Sequence, residues 1–340
     1  MKFAIVSNIN NGIGLQRIYE KLRGLLEARG HTVHGEMWNA NSPTLYPVDV
    51  AIFVEVVDQR WFAVAKEAWL IPMSEWWFYG SAAFPKMKHV LCLTKDCLSI
   101  WQRFVGGRAR YIGWEAEDLY RPEIPRELKF LHLMGRSGAK NTKAVVEAWQ
   151  VLPYELTLIS HYAHSFQGLP RIRAIGELSH EQLIQEINSH RFHVMPAEYE
   201  GYGMALHEAH GCGCITITTD AAPMNELMGI QRDLLVPISG RRPTGVAWLY
   251  SVCTTHIADA VKRAAAYTPE RLEAASAEAR VGFLAENNLF RSAFDKFMTY
   301  IEVEAAKAAP PISVVPVRAL AGPRPTRPNG GYPPWFGKRN

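Results

Sequence analysis

Short apolar runs alternate with segments of helical periodicity along the first third of the chain. Runs rich in β-branched and aromatic residues predict strands, and apolar residues three and four apart predict helices. The predicted strands are almost continuously apolar, which is typical of parallel strands buried on both faces. The pattern predicts strands at residues 3–7, 31–37, 50–54, 69–73, 89–94 and 109–112, and helices at 15–29 and 95–104.

A polar, proline-bearing segment, EAEDLYRPEIPREL at residues 115–128, interrupts this alternation. The alternation then restarts, and from residue 254 to about 309 the pattern is mostly helical. Strands are predicted at 129–134, 155–160, 171–175, 192–196 and 214–218, and helices at 142–151, 179–189 and 205–210. We therefore expect two facing Rossmann-like α/β domains, residues 1–120 and 121–309, with a C-terminal helical segment.

The composition favours a two-domain globular protein in a reducing compartment. The chain has 340 residues, of which 48% are hydrophobic and 21% charged, and no apolar run is long enough to predict a spanning helix. The opening MKFAIVSN is too short for a signal-peptide core, and the five cysteines include no CxxC pair. We expect a cytoplasmic protein whose residues 310–340, dense in proline and glycine, form a flexible basic tail.

The net charge of +4 is unevenly distributed. Residues 84–110 carry six basic side chains and one acid, and residues 316–340 carry five basic side chains and no acid. Such clusters are compatible with an ordinary solvated face or with a surface that binds a polyanion.

Two glycine-bearing loops follow predicted strands and precede predicted helices. Gly12 and Gly14 in SNINNGIGLQR allow a tight turn whose amides suit a phosphate, although the third glycine of a dinucleotide fingerprint is missing. Gly135 and Arg136 begin the second loop, and Lys140 follows. A guanidinium and an ammonium there would neutralise a diphosphate leaving group, and solvation of a helix start is the alternative.

The stretch EYEGYGMALHEAHGCG, residues 198–213, places two carboxylates eight residues apart around a Gly-x-Gly turn. Glu200 falls on the loop and Glu208 falls one to two turns into the helix, so the pair would hold two parts of one ligand. His207 and His210 are three residues apart, whereas the HExxH zinc motif needs four. We therefore expect no metal and no cofactor.

The segments RSGAKNTKAVVEAW and IRAIGELSHEQLIQEINSHRFHVMPAEYEGYGMALHEAHGCGCITITTDAAPMNE together resemble the second domain of GT-B glycosyltransferases of the GT4-like kind. The hallmark of that family is a Glu, seven residues, Glu motif, and Glu200 and Glu208 match its spacing and its EGxG flank. The resemblance covers residues 128–300 well. In the first domain it is limited to the pattern and the glycine loop.

This resemblance implies transfer of a sugar, a hexose such as that of UDP-glucose, from a nucleotide-diphosphate donor to an acceptor hydroxyl. Members of the family usually retain the anomeric configuration, with attack assisted by the departing phosphate. It implies that Glu200 contacts the sugar, Glu208 the ribose, and Arg136 and Lys140 the diphosphate. The full donor set would be Gly12, Gly14, Gly135, Arg136, Lys140, Glu200, Gly201, Tyr202, Gly203, Met204 and Glu208.

The first domain departs from the family after its middle strand. A histidine is common there, whereas this chain reads LIPMSEWWFYG. Glu75 would bind donor or acceptor, or act as a base in an inverting enzyme; alternatively it is a helix-start carboxylate beside Trp76 and Trp77. The catalytic set is then Glu200, Arg136, Lys140 and Glu75, and the expected acceptor contacts are Glu75, Trp76, Lys95, Arg103 and Arg108.

The basic clusters favour a polyanionic acceptor, with a hydroxymethylated base in DNA slightly ahead of an anionic lipid, a polysaccharide or a small molecule. A base in duplex DNA would have to turn out of the stack. The alternative function from another class is that of a non-catalytic protein that binds nucleotide sugars or nucleic acid. The sequence does not specify the donor sugar, the nucleotide base or the oligomeric state.

Overall fold

The computed structural model describes residues 1–10, 12, 14–38, 45–77 and 82–308, apart from the side chains of Ile230 and Ala308. The predicted tail at 310–340 lies outside these residues, as do Asn11 and Ile13 of the first glycine loop. Residues Met1–Phe297 form one compact unit, and a second begins at Met298.

The first sheet contains six parallel strands in the order β2-β1-β3-β4-β5-β6. Its elements are β1 (Lys2–Ser7), α1 (Gly14–Ala28), β2 (Thr32–Met37), β3 (Val48–Val54), β4 (Ala65–Ile71), β5 (Met87–Cys92), α2 (Lys95–Val105) and β6 (Ala109–Tyr111). The strand order reverses between β1 and β3, where loops diverge and open a crevice at the carboxyl edge. The predicted alternation of strands and helices is confirmed in this half.

The second sheet contains five parallel strands in the order β11-β10-β7-β8-β9. Its elements are β7 (Glu127–Gly135), α3 (Thr142–Trp149), β8 (Leu156–Ser160), β9 (Ile172–Ile175), α4 (His180–Ser189), β10 (His190–Met195), α5 (Met204–Gly211) and β11 (Ile215–Thr218). Here the order reverses between β7 and β10. The loops with Arg136 and with Glu200 follow those two strands, so the sheet brings them to the same crevice.

Continuous apolar runs account for both cores. Phe3, Ile5 and Val50 in the first sheet and Val194 in the second are at most 2% exposed. Helix α1 buries Ile18, Leu22 and Leu26, four residues apart, as a single stripe against its sheet. Burial of that size stabilises both sheets, and the carboxyl-edge loops start from strands in these cores.

An antiparallel hairpin follows the second sheet, and the sequence patterns did not predict it. It consists of β12 (Ile238–Thr244) and β13 (Ala247–Val252), paired from Ile238 and Val252 to the tip. Two helices, α6 (Thr254–Ala265) and α7 (Pro269–Ala308), complete the described chain. The predicted helical segment after residue 254 is confirmed.

Helix α7 contacts both α/β domains within the first unit. Phe283 lies against Gly211, whereas the ring of Phe297 lies 5.1 Å from that of Trp69. Asn287 accepts a hydrogen bond from the amide of Ala116 (3.2 Å) and donates one to its carbonyl (3.1 Å). The predicted boundary at 115–128 therefore lies beside α7, where the chain passes between the two domains a second time. The division into domains at residue 120 stays a prediction.

All five cysteines are free thiols. Among the described residues, no helix combines the length and the apolar character needed to cross a bilayer.

Candidate active site

The loop with Gly12 and Gly14 faces the turn with Gly201 and Gly203 across the crevice. A Cβ at Gly14, the first residue of α1, would lie 3.2 Å from the terminal methyl of Met204, the first residue of α5. Gly12 has φ +71°, and its amide donates to the side chain of Gln16 (3.0 Å). The start of each helix thus lies beside the other, and the amide of Gly12 is satisfied within its own loop.

Glu200 and Lys140 form an ion pair at the carboxyl edge of the second sheet. Both side chains are less than one-fifth exposed. Glu200 lies on the turn before α5, where Gly203 adopts φ +85° and its carbonyl accepts from the amides of Leu206 and His207. The structure therefore brings together one predicted cation and one predicted carboxylate from two separate loops.

Glu208 lies in the second turn of α5 and is paired across the crevice with Arg17 of α1. The Nη1 atom of Arg17 lies 2.6 Å from Oε1 of Glu208, whose side chain is only 5% exposed. Burial raises the pKa of Glu208 to about 7, although the guanidinium of Arg17 acts in the opposite direction. Sequence reasoning missed Arg17, whose position in the first turns of the helix after a glycine loop was the available signal.

Glu75 lies on a single 3₁₀ turn, Ser74–Trp76, that follows β4. Its Oε2 atom is buried and has no hydrogen-bond partner among the described residues. Burial is the main cause that raises the pKa of Glu75 to about 8, and the charges of Glu200 and Glu55 add to it while Lys140 opposes it. At neutral pH this carboxyl group is mostly protonated.

Gly201 allows the Glu75 turn to approach the second domain. A Cβ at Gly201 would overlap the sulfur of Met73 and lie 3.5 Å from Oε1 of Glu75. A side chain at residue 201 would therefore displace the side chain of Met73 at the site.

Glu55 is a second carboxyl of the first domain that sequence reasoning missed. It follows the last residue of β3, has φ +68°, and donates its amide to the carbonyl of Ile71 (2.9 Å). Burial raises its pKa to about 7. A left-handed backbone at a residue other than glycine is uncommon and concentrates at functional sites. The available signal was an acidic residue ending the apolar run VAIFVE beside the reversal in strand order.

Arg136 lies apart from the Lys140–Glu200 pair. Its Nη2 atom is 2.7 Å from Oε1 of Glu177, which also contacts Nδ1 of His161 (2.8 Å). The side chains of Arg136 and Glu177 are more than half exposed. Gly135, with φ +59°, turns the chain before Arg136. The predicted diphosphate pair is thus split, with Lys140 inside the site and Arg136 at its outer edge.

The predicted acceptor residues are scattered. Trp76 is 57% exposed on the Glu75 turn, and Lys95 begins α2, where Glu226 of the second domain accepts from the amides of Lys95 (3.0 Å) and Asp96 (2.7 Å). Arg108 instead donates to the carbonyls of Phe84 (2.8 Å) and Met87 (2.7 Å), where β5 begins. That position is at the opposite edge of the sheet from the crevice, and Arg103 lies exposed in the last turn of α2.

The polar side chains beside Glu208 are packing residues. Tyr202 donates to the carbonyl of Trp114 (2.9 Å) and stacks on His207 with ring centroids 3.9 Å apart. The Nε2 atom of His210 lies 2.8 Å from the hydroxyl of Thr216. Burial lowers the pKa of both histidines, to about 3 for His207 and about 4 for His210. Within the ranges that the structure describes, no three His, Cys, Asp or Glu side chains are placed to hold a metal ion.

Two parallel Rossmann-like sheets, with the candidate residues between their carboxyl edges, have the architecture of the GT-B fold. The family described as glycosyl transferases group 1 matches residues 128–231. A comparison with curated protein sequences gave no significant match. The match places residues 128–231 among the group 1, or GT4, glycosyltransferases, which take sugars from nucleotide-sugar donors.

Solved structures share the fold over most of the chain. A sucrose-phosphate synthase from Thermosynechococcus elongatus is 16% identical, with 90% of this chain and 100% of that one covered and a TM-score of 0.67. WaaG, a glycosyltransferase involved in lipopolysaccharide biosynthesis, is 14% identical, with 86% and 98% covered and a TM-score of 0.60. AviGT4, involved in avilamycin A biosynthesis, is 15% identical, with 90% and 98% covered and a TM-score of 0.56.

Proposed function

We propose that the enzyme transfers a hexose from a nucleotide-diphosphate sugar to an acceptor hydroxyl with retention of configuration and without a metal ion. The observation that carries the proposal is the Lys140–Glu200 ion pair, which faces Glu75. Glu200 lies on the same turn-and-helix segment as Glu208. One cation and two separated carboxylates match the parts of such a donor. Lys140 binds the diphosphate, Glu200 binds the sugar, and Glu208 binds the ribose.

Lys140 and Glu200 exchange partners when the donor enters. The ammonium of Lys140 binds diphosphate oxygens, which leaves the carboxylate of Glu200 to accept from the sugar hydroxyls. The bond between the anomeric carbon and the diphosphate breaks while the acceptor oxygen bonds to that carbon. The acceptor proton passes to the departing phosphate. A fixed ammonium stabilises the charge that develops on the leaving group, and positioning supplies much of the remaining rate enhancement.

Arg136 serves as a second, outer contact for the diphosphate. Its present partner, Glu177, is exposed, and exposed ion pairs contribute at most about 1 kcal/mol. Donor binding can therefore draw the guanidinium away from Glu177 at small cost.

Glu75 supports retention over inversion. A carboxyl group with a pKa of about 8 is protonated at neutral pH, so it donates a hydrogen bond to a sugar hydroxyl and does not serve as a general base. An inverting reaction needs a base beside the acceptor. The protonated state of Glu75 favours the retaining route, in which the departing phosphate takes the proton.

The donor proposal is tested with a panel of nucleotide sugars, including UDP-glucose, in the presence of EDTA. A true donor raises the melting temperature by linkage and is hydrolysed slowly without an acceptor. Glu200→Ala should abolish the hydrolysis, whereas Glu181→Ala, an exposed residue at the start of α4, should not. A protein that hydrolyses none of these donors, or whose rate is unchanged by Glu200→Ala, is a binding protein on the same fold and not a transferase.

For the acceptor we retain a polyanion, with a hydroxymethylated base in DNA as the first candidate and an anionic lipid, a polysaccharide or a small molecule as the alternatives. Lys95 and Trp76, both near the crevice, support an anionic or aromatic acceptor. Arg103 and Arg108 add no support, because one lies at the far end of α2 and the other binds backbone carbonyls. DNA binding should weaken steeply as salt rises from 50 to 200 mM. If the affinity for DNA does not change with salt, a polyanionic acceptor is excluded.

A further inference from the structure

The hairpin β12–β13 is hydrogen-bonded to the loop that carries Glu200. The amide of Tyr250 in β13 donates to the carbonyl of Glu198 (2.8 Å), and the side chain of Asn141 donates to the carbonyl of Tyr250 (3.2 Å). Arg242 in β12 is paired with the carboxylate of Glu198 (2.8 Å). The base of the hairpin is therefore fixed to the second domain, two residues from the catalytic carboxylate.

The tip of the same hairpin is bonded to the first domain, on the turn that carries Glu75. The amide of Val246 donates to the carbonyl of Ser74 (3.0 Å), and the hydroxyl of Thr244 donates to the carbonyl of Glu75 (2.9 Å). The hairpin thus spans the crevice from the Glu200 loop to the Glu75 turn.

Gly245 makes this contact possible. It has φ +52°, in the left-handed region, and a Cβ there would lie 2.5 Å from the carbonyl oxygen of Ser74 and 2.8 Å from the amide nitrogen of Trp77. Both neighbours are backbone atoms, which cannot move aside as a flexible side chain does. Gly240, in the same hairpin, would place a Cβ in open space, and its φ is outside the left-handed region.

We propose that the hairpin is a strap that holds the Glu75 turn against the Glu200 loop, and that Gly245 is the positioning residue that permits its closure. The inference rests on the proposed function only in giving Glu75 a role toward the donor sugar. The strap belongs to the second domain, so the domain that binds the donor also sets the geometry of the first-domain carboxyl. Gly245 then affects the rate only through the position of the Glu75 turn.

The turn that the strap holds carries a buried carboxyl, since Oε2 of Glu75 has no hydrogen-bond partner among the described residues. The charged and titratable groups that act on Glu75 are Glu55 from the first domain, and Glu200 and Lys140 from the second. Tyr199, which hydrogen-bonds Asp96, faces it as well. If the strap is displaced, solvation of Glu75 increases, and its pKa falls from about 8 toward the ordinary range.

The contact itself is tested by hydrogen exchange on the full-length Gly245→Ala and Gly240→Ala proteins, which requires no ligand. In Gly245→Ala, we expect the amide of Val246 and the amides of residues 74–77 to exchange about tenfold faster or more, because the hydrogen bond to Ser74 is lost. Gly240→Ala should match the wild type. Equal exchange of these amides in all three proteins would overturn the proposal.

The positioning role is tested by the pH profile of UDP-glucose hydrolysis, or of whichever nucleotide sugar the panel identifies. Gly245→Ala should lower kcat by about 10- to 100-fold with little change in donor Kd, as expected for a misplaced group. It should also move the alkaline limb of the profile to lower pH, whereas Gly240→Ala leaves both unchanged. Faster exchange with an unaltered kcat and profile would show that the strap is only structural. Hydrolysis by no variant, the wild type included, would instead refute the proposed function.

Discussion

The two domains contribute to the site in different ways. In the second domain, the functional residues lie in two short segments, 136–140 and 200–208, and their spacing is visible in the sequence. In the first domain, Arg17, Glu55 and Glu75 come from three separate elements and share no motif. The second domain builds its part of the site from two local strand-to-helix turns, whereas the first domain builds its part from residues that sheet topology brings together. Site residues on one local turn form a motif that can be recognised in the sequence. Site residues that strand order brings together are far apart in the sequence and form no motif.

The largest expected effect tests the second domain. Lys140→Ala removes the only cation paired with Glu200 among the described contacts, so kcat for donor hydrolysis or transfer should fall by about 10²- to 10³-fold. Lys143→Ala is the matched control, since Lys143 lies three residues further on and its side chain is 91% exposed. Steady-state kinetics on both variants provide the check, and an equal loss in the two would remove Lys140 from the site.

The next effect tests the contact between the domains. Arg17→Ala leaves Glu208 buried without its cation, so the pKa of Glu208 should rise further and the protein should lose about 1–3 kcal/mol of stability. Nucleotide affinity should fall as well, because a protonated Glu208 accepts fewer hydrogen bonds from ribose. Arg23→Ala, which breaks only an exposed pair in the same helix, should change stability by less than about 0.5 kcal/mol. Melting curves and nucleotide titrations distinguish them.

A pH-dependent effect tests the buried carboxyl group of Glu75 in the first domain. The pKa of Glu75 is near 4.5 in the unfolded chain and about 8 in the fold, so the folded state binds the extra proton between these values. Stability from this residue is therefore full below about pH 4.5 and is lost as the pH rises through 8. Glu75→Gln carries no such charge, and its stability relative to wild type should improve by about 1–3 kcal/mol from pH 5 to pH 9. A melting-temperature difference that stays constant over this range would contradict the buried carboxyl.

The smallest effect separates the two predicted diphosphate contacts. Arg136 lies at the outer edge, paired with an exposed glutamate, so Arg136→Ala should raise KM for the donor by about three- to tenfold, or about 1 kcal/mol, with a smaller change in kcat. Arg173→Ala, another exposed arginine of the same domain, serves as the control. If Arg136→Ala lowered kcat as strongly as Lys140→Ala, the two residues would act together in the transition state.

Much of the fold could be predicted from the sequence, because buried parallel strands are nearly continuous apolar runs and their alternation with helices is regular. The hairpin β12–β13 was missed, since every residue of β12 from Ile238 to Pro243 is exposed and gives no alternating pattern. For the site, the Glu200 turn could be placed from its glycines. Glu55 and Arg17 could not, because their proximity to the site depends on strand order and on the approach of the two domains.

The chain crosses between the domains twice, at Glu115–Ala116 and again along α7. The side chain of Asn287 is hydrogen-bonded to both the amide and the carbonyl of Ala116, and Arg291 pairs with Glu115 at 2.6 Å. Two connections tied side by side restrict twisting and sliding more than rotation about the line through them. We therefore expect the crevice to open by a hinge rotation about Ala116 and Asn287, so that the contacts across it, from Arg17 to Gly245, are made and broken together.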